Sequence, residues 1–237
     1  MTPAGRSRVR IGVVRFPGTN CDQDVFDAVG SIGAGEPVWL WHKERDLTGV
    51  QAIVLAGGFS YGDYLRAGAI ARFSPIMEEV IRFAKGGRPV LGICNGFQIL
   101  TEAGLLPGAL MRNDGLTFVC RPQWLRIDST ATPFTRHYDP GQRVRFPVAH
   151  GEGNYVASPE VLDRLEAEGR VVFRYVDADG RATAEANPNG SARNIAGIAD
   201  ATGNLVGLMP HPDRAMDLLL GSADGRPVFE GLVEAAA

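Results

Sequence analysis

The chain has 237 residues, of which 45% are hydrophobic and 22% charged, with a formal net charge of −3. That is the composition of a globular protein able to bury a core without staples, and it gives no bulk electrostatic case for nucleic acid or a membrane as partner. Cys21, Cys94 and Cys120 are widely spaced and fit neither a disulfide framework nor a zinc pattern, so a reducing compartment, the cytoplasm, is expected.

Met1 to Arg10 is polar and basic, and the apolar stretch behind it, Ile11 to Phe16, is interrupted by Arg15 and ends at Pro17. It is too short for a signal peptide or a membrane span. Val9 to Phe16 reads as a strand, followed by the loop Pro17-Gly-Thr-Asn20. Cys21 to Val29 reads as a helix capped by Asn20 or Asp22. Glu36 to Trp41 and Gln51 to Ala56 are the next strands, the latter running into Gly57-Gly58. Ser74 to Lys85 is a helix with Ser74 as cap, Pro75 at its first position and an apolar stripe of Ile76, Val80, Ile81 and Phe83; Gly86-Gly87 end it. Val90 to Ile93 is a strand that turns at Cys94 into another helix.

Up to about residue 105 the order β-α-β-β-α-β-α, with apolar strands, predicts a parallel doubly wound sheet. From Phe118 the pattern becomes β-rich: Phe118 to Arg121, Trp124 to Ile127, Val144 to Val148 and Arg170 to Tyr175. One helix, capped by Ser158 and ended by Gly169, interrupts it, and Ala192 to Ile198 with Leu205 to Leu208 forms a hairpin around Asp200-Ala-Thr-Gly203. The expected fold is α/β: a doubly wound, mostly parallel sheet flanked by helices. The β-rich extension either continues that sheet or forms a lobe on it, within a single domain spanning 1–237.

Gly92-Ile-Cys94-Asn-Gly96 carries the chemistry. A strand-to-helix elbow holds its central residue in a strained turn with the side chain clear of the sheet and free backbone N–H groups behind it. A thiol there gains from the helix dipole, and the N–H groups can hold an oxyanion. Glycines on both sides are expected to let a substrate approach. The competing reading is an inert buried thiol; the glycines and the preceding strand favour the reactive one.

A thiol nucleophile needs a base, and the base an orienting group. His211, in Leu208-Met-Pro-His-Pro-Asp213, lies just past a strand with Asp213 two residues on. His150, in Pro147-Val-Ala-His-Gly-Glu152, is the rival base with Glu152 as its partner. A metal held by His150, Glu152 and His211 matches no acid/His spacing of a hydrolase motif, so no metal is expected. Gly57-Gly58, at the carboxyl end of a strand, exposes N–H groups where open α/β sheets bind ligands. One of these with the Asn95 N–H makes a two-donor oxyanion hole.

Gly92-Ile-Cys94-Asn-Gly-Phe-Gln98 with the later Pro210-His-Pro212 resembles the class I, triad-type glutamine amidotransferases. Phe16-Pro-Gly-Thr-Asn-Cys-Asp22, the run from Gly57 to Phe73, Pro147 to Tyr155 and Leu219 to Gly225 are similar to the PurQ-type glutaminase subunits of phosphoribosylformylglycinamidine synthase, from about Val9 to Phe229. The resemblance implies that Cys94 attacks the side-chain amide of L-glutamine, that His211 moves the protons, and that the thioester is hydrolysed to glutamate. It also implies that backbone N–H groups near Gly58 and Asn95 hold the oxyanion; Gly57 and Gln98 are expected to serve the oxyanion and substrate with them, and His150 and Glu152 are the candidates for lining the site. Ammonia then passes to a large PurL-type synthetase subunit, where ATP and Mg²⁺ are expected, with a small PurS-type subunit bridging the two. No cofactor is expected in this chain.

One departure stands out: the family has Glu where this chain has Asp213, shorter by about 1.5 Å. The loop shifts to restore contact, a water bridges, or the imidazole is held less well. Two alternatives stand beside the leading one: a non-catalytic scaffold in the same complex, and a glutaminase serving another acceptor, as in pyridoxal phosphate synthesis. Arg66 and Arg72 either face a partner subunit or are solvated.

Overall fold

The computed structural model describes residues 8–237. Most of the polar run at the N-terminus, residues 1–7, lies outside them. Eleven strands and five α-helices follow in chain order: β1 (Val9–Arg15), α1 (Asp22–Ser31), β2 (Gly35–Trp41), β3 (Ala52–Leu55), α2 (Pro75–Lys85), β4 (Val90–Ile93), α3 (Asn95–Glu102), β5 (Ala109–Met111), β6 (Val119–Ile127), β7 (Arg143–His150), β8 (Asn154–Val156), α4 (Pro159–Ala167), β9 (Val171–Tyr175), β10 (Ile195–Ala199), β11 (Leu205–Leu208) and α5 (Arg226–Ala236).

Nine strands form one sheet in the order β2-β1-β3-β4-β11-β10-β9-β6-β7, and β5 pairs with β8 in a separate ribbon. Neighbours among β2, β1, β3, β4 and β11 run parallel, and those from β11 through β10, β9 and β6 to β7 run antiparallel. The β-rich half therefore continues the sheet. The parallel strands β3 and β4 are buried along their whole length, as a sheet covered on both faces requires. Right-handed crossovers, leftward from β1 through α1 and rightward from β3 through α2, place those two helices on opposite faces. Among the described residues no helix is long and apolar enough to cross a membrane.

Several local expectations need correction. The residue at the N-cap of α1 is Cys21, with no side-chain cap; Asp22 pairs with Arg15 instead (2.6 Å). Ser74 precedes α2 but does not cap it, because its hydroxyl faces the Tyr61 hydroxyl at 2.9 Å. The buried stripe of α2 contains Met77, while Ile81 is half-buried. Ser158 does cap α4, accepting from the Val161 N–H. The two short strands read on either side of Pro122 are one strand, β6. There Pro122 faces Pro147 of β7, so neither residue is asked for the N–H it lacks.

Candidate active site

The parallel strands all deliver their carboxyl ends to one edge of the sheet. Beyond β3 lies Gly57-Gly58, beyond β4 lies Cys94, and beyond β11 lies His211. Because β11 runs parallel beside β4, pairing Leu208 with Ile93, the residues that follow these strands emerge together. This is the edge at which open α/β sheets bind ligands.

Cys94 sits at φ 52°, ψ −107°, a conformation that costs a non-glycine residue on the order of 1–3 kcal/mol. The surroundings impose it: the Cys94 N–H donates to the Leu208 carbonyl (2.8 Å), and the Cys94 carbonyl accepts the first helical bonds of α3 from Phe97 and Gln98. The N–H groups of Asn95 and Gly96 precede that ladder and are free for a ligand. The flanking glycines serve packing, which corrects the expected substrate approach. A Cβ on Gly96 would lie 2.0 Å from the Leu55 carbonyl oxygen, and one on Gly92 2.5 Å from Leu100 Cδ1. Their absence lets α3 lie directly on β3 and β4.

The thiol is buried, 6% exposed, and donates to the Ala149 carbonyl at 3.7 Å. His211 is fully buried; its Nδ1 faces Asp213 Oδ2 at 3.3 Å, and its Nε2 has no hydrogen-bond partner. The shortened carboxylate thus reaches the imidazole directly. Burial opposes the imidazolium, but Asp213 and Cys94 together outweigh it and raise the His211 pKa above its ordinary value. The raised basicity suits His211 to take the thiol proton of Cys94.

Gly57 lies against both groups. A Cβ there would sit 2.8 Å from His211 Cε1 and 3.3 Å from Cys94 Cβ. Gly58, at φ 140°, has its bare Cα against the Thr19–Asn20 backbone. Among the described residues its N–H makes no backbone hydrogen bond.

The side chains of Asn95 and Gln98 are tied into the scaffold, which leaves the Asn95 N–H untouched. Asn95 Oδ1 accepts from the Ser60 N–H (3.2 Å), its Nδ2 donates to Gln98 Oε1 (2.8 Å), and Gln98 Nε2 donates to the Glu152 carbonyl (2.6 Å). His150 is not paired with Glu152. Its Nε2 meets Asn189 Nδ2 at 2.9 Å, and burial followed by the neighbouring His211 lowers its pKa to about 4, too low for a base competing with His211. Arg66 and Arg72 are tied to Glu102, the first through its carboxylate and the second through its carbonyl.

Two adjoining cavities open on Cys94. The first, about 190 Å³, carries Asp63, Gln98, His150 and Glu152; the second, about 230 Å³, carries Asn20, Cys21 and Arg214. Asp63, Asn189 and Arg214 are not singled out by the sequence. Asp63 closes the glycine-rich run after β3, and that position is the only local signal for it. Cys21 is buried against Arg214 (3.0 Å), and its burial pushes the thiol up to about 12, so it is a poor nucleophile beside Cys94.

Comparison with known proteins gives the family. Residues 8–225 match the model of the CobB/CobQ-like glutamine amidotransferase domain. The chain is 62% identical over 224 residues to the phosphoribosylformylglycinamidine synthase subunit PurQ of Chlorobaculum parvum, covering 94% of this chain and 89% of that one. It is 54% identical to the PurQ subunit of Salinibacter ruber, covering 94% and 95%. Among solved structures it superposes on a chain of PurLQS from Thermotoga maritima with a TM-score of 0.85 at 40% identity, covering 96% of this chain and 98% of that one.

Proposed function

The chain belongs to the CobB/CobQ-like glutamine amidotransferase family, among the PurQ subunits of phosphoribosylformylglycinamidine synthase, and from that premise we propose that Cys94, His211 and Asp213 hydrolyse glutamine to supply ammonia to a synthetase. The observation that carries the residue assignment is the strained, buried Cys94 beside a buried His211 whose Nδ1 is held by Asp213 and whose Nε2 is free.

His211 takes the thiol proton of Cys94 on Nε2, and the resulting thiolate attacks the carboxamide carbon of glutamine. The oxygen gains charge and is held by the N–H groups of Gly58 and Asn95; losing one such donor typically costs about 3 kcal/mol in the barrier. His211 gives its Nε2 proton to the departing nitrogen, leaving a thioester and ammonia. His211, now neutral, takes a proton from water as it attacks the thioester, which releases glutamate and restores the thiolate. Asp213 holds the imidazole in the tautomer and orientation that both transfers need. Asp63 and Glu152 line the cavity on Cys94 and suit the α-ammonium group of the substrate.

The ammonia goes to a PurL-type synthetase subunit, which uses ATP and Mg²⁺ to activate its amide substrate, with a PurS-type subunit bridging the two. Residues 1–237 act as one amidotransferase unit, in the cytoplasm.

A glutamine-mimicking diazoketone tests the assignment. The adduct is expected on Cys94. Because Cys21 lines the adjoining cavity, an adduct there, or glutamate release by the assembled complex surviving Cys94→Ser, overturns it.

A further inference from the structure

One wall of the cavity on Cys94 is the segment Ala149–Glu152, and three buried amide side chains grip it together with the adjoining Gly153. Gln98 Nε2 donates to the Glu152 carbonyl. Asn113 Nδ2 donates to the His150 carbonyl (2.9 Å), and its Oδ1 accepts from the Gly153 N–H (2.9 Å). Asn189, 1% exposed, holds both the Gly153 carbonyl (2.8 Å) and the His150 ring (2.9 Å). This wall carries the Ala149 carbonyl that accepts from the Cys94 thiol.

The orientation of Asn189 is determined. Its Oδ1 accepts from the Ser191 N–H at 3.1 Å, and a backbone N–H can only donate. The other end is therefore the NH₂ group, as the facing Gly153 carbonyl also demands. The His150 Nε2 then accepts, so its proton sits on Nδ1, the one polar atom of the ring left without a partner. The Nε2 edge is closed off by Gly153, where a Cβ would lie 2.4 Å from Nε2.

Resting on the catalytic reading of Cys94, we propose that Asn189 is a positioning residue: it locks His150 as a neutral Nδ1–H imidazole and clamps the 149–153 segment, keeping a second positive charge away from His211 and the Ala149 carbonyl in place against the thiol. The groups around His150 make this lock matter. His211 comes from the turn after β11, Cys94 from the elbow, and Tyr175 from β9, its hydroxyl 3.3 Å from Asn189 Nδ2, whose two hydrogens are taken by the shorter contacts to Gly153 and His150. Glu152 lies on the same segment, and Asp114 packs against Gly190. A carboxylate in place of the amide would draw a proton onto Nε2, and the resulting cation would oppose the His211 imidazolium.

The tautomer is read directly from the ¹⁵N–¹H spectrum of imidazole-labelled chain, with the His150 signals assigned by their loss in His150→Gln. Protonated Nδ1, unprotonated Nε2 and no titration between about pH 5.5 and 9 are expected. An Nε2–H tautomer, or titration in that range, overturns the proposal whether or not Cys94 is the nucleophile. In the assembled complex Asn189→Asp is expected to add an ionisation to the kcat profile for glutamate release, with kcat about tenfold lower on its acid side. That ionisation is expected to vanish in Asn189→Asp/His150→Gln. A profile of unchanged shape for folded Asn189→Asp refutes the role; a spectrum that holds while the complex releases no glutamate refutes only the catalytic reading of Cys94.

Discussion

Asp63→Asn separates stability from function at the mouth of the site. Asp63 lines the cavity on Cys94, and burial, followed by the nearby Glu152, raises its pKa from 3.8 to about 6. A carboxyl with a raised native pKa carries no penalty below about pH 3.8, where both states are protonated, and the full penalty above about pH 6, where both are ionised. A shift of roughly two units corresponds to about 3 kcal/mol, and solvent screening at a half-buried site reduces this to about 1–2 kcal/mol. Asparagine removes the charge and tolerates the backbone φ of 54° at this position, so strain does not confound the comparison. Urea denaturation should show the variant more stable by about 1–2 kcal/mol at pH 8, with the difference shrinking toward pH 4. Glutamine KM in the assembled complex should rise about tenfold, because the α-ammonium group loses a counter-charge. An Asp63→Asn variant no more stable than the parent at pH 8, or equally favoured at pH 4 and pH 8, refutes the reasoning.

Two further substitutions probe the base. Gly57→Ala places a methyl 2.8 Å from His211 Cε1, so the imidazole must move; a displacement on the order of 1 Å costs about 100-fold in turnover. Glutamate release should fall by that factor with an unchanged near-ultraviolet circular dichroism spectrum, and activity within threefold of the parent would show that the imidazole is not confined as described. Asp213→Glu, in contrast, should change turnover by less than tenfold, about 1.4 kcal/mol, because the carboxylate already reaches Nδ1 at 3.3 Å. A much larger gain in the steady-state rate would mean that the aspartate supports its imidazole poorly.

What could be read from the sequence was local, and what could not was set by distant pairing. The span Val90–Ile93, the turn at Cys94 and the start of α3 are coded within a dozen residues, by an apolar run, two glycines and helix-forming residues, and all three stand where expected. The same holds for α2, although its stripe turns one position toward Met77, since the register of a short helix against its neighbours is decided by contacts outside it. α5 carries a legible signal: Pro227 in its first turn and buried apolar Val228, Phe229, Leu232 and Val233. The position of β11 had none. Nothing in Leu205–Leu208 states that it lies beside β4, yet that pairing alone carries His211 to Cys94. The glycines beside Cys94 were legible as residues but not as a role, because whether a missing Cβ admits a substrate or a carbonyl depends on which backbone lies opposite, here Leu55. Asn189 is the extreme case. In Asn187-Pro-Asn-Gly190 it reads as a turn residue, and its function appears only when the chain brings Ser191, Gly153 and His150 around one amide whose two ends cannot be exchanged. Such a residue leaves no periodicity and no motif, so its role depends entirely on the partners that the folded chain supplies.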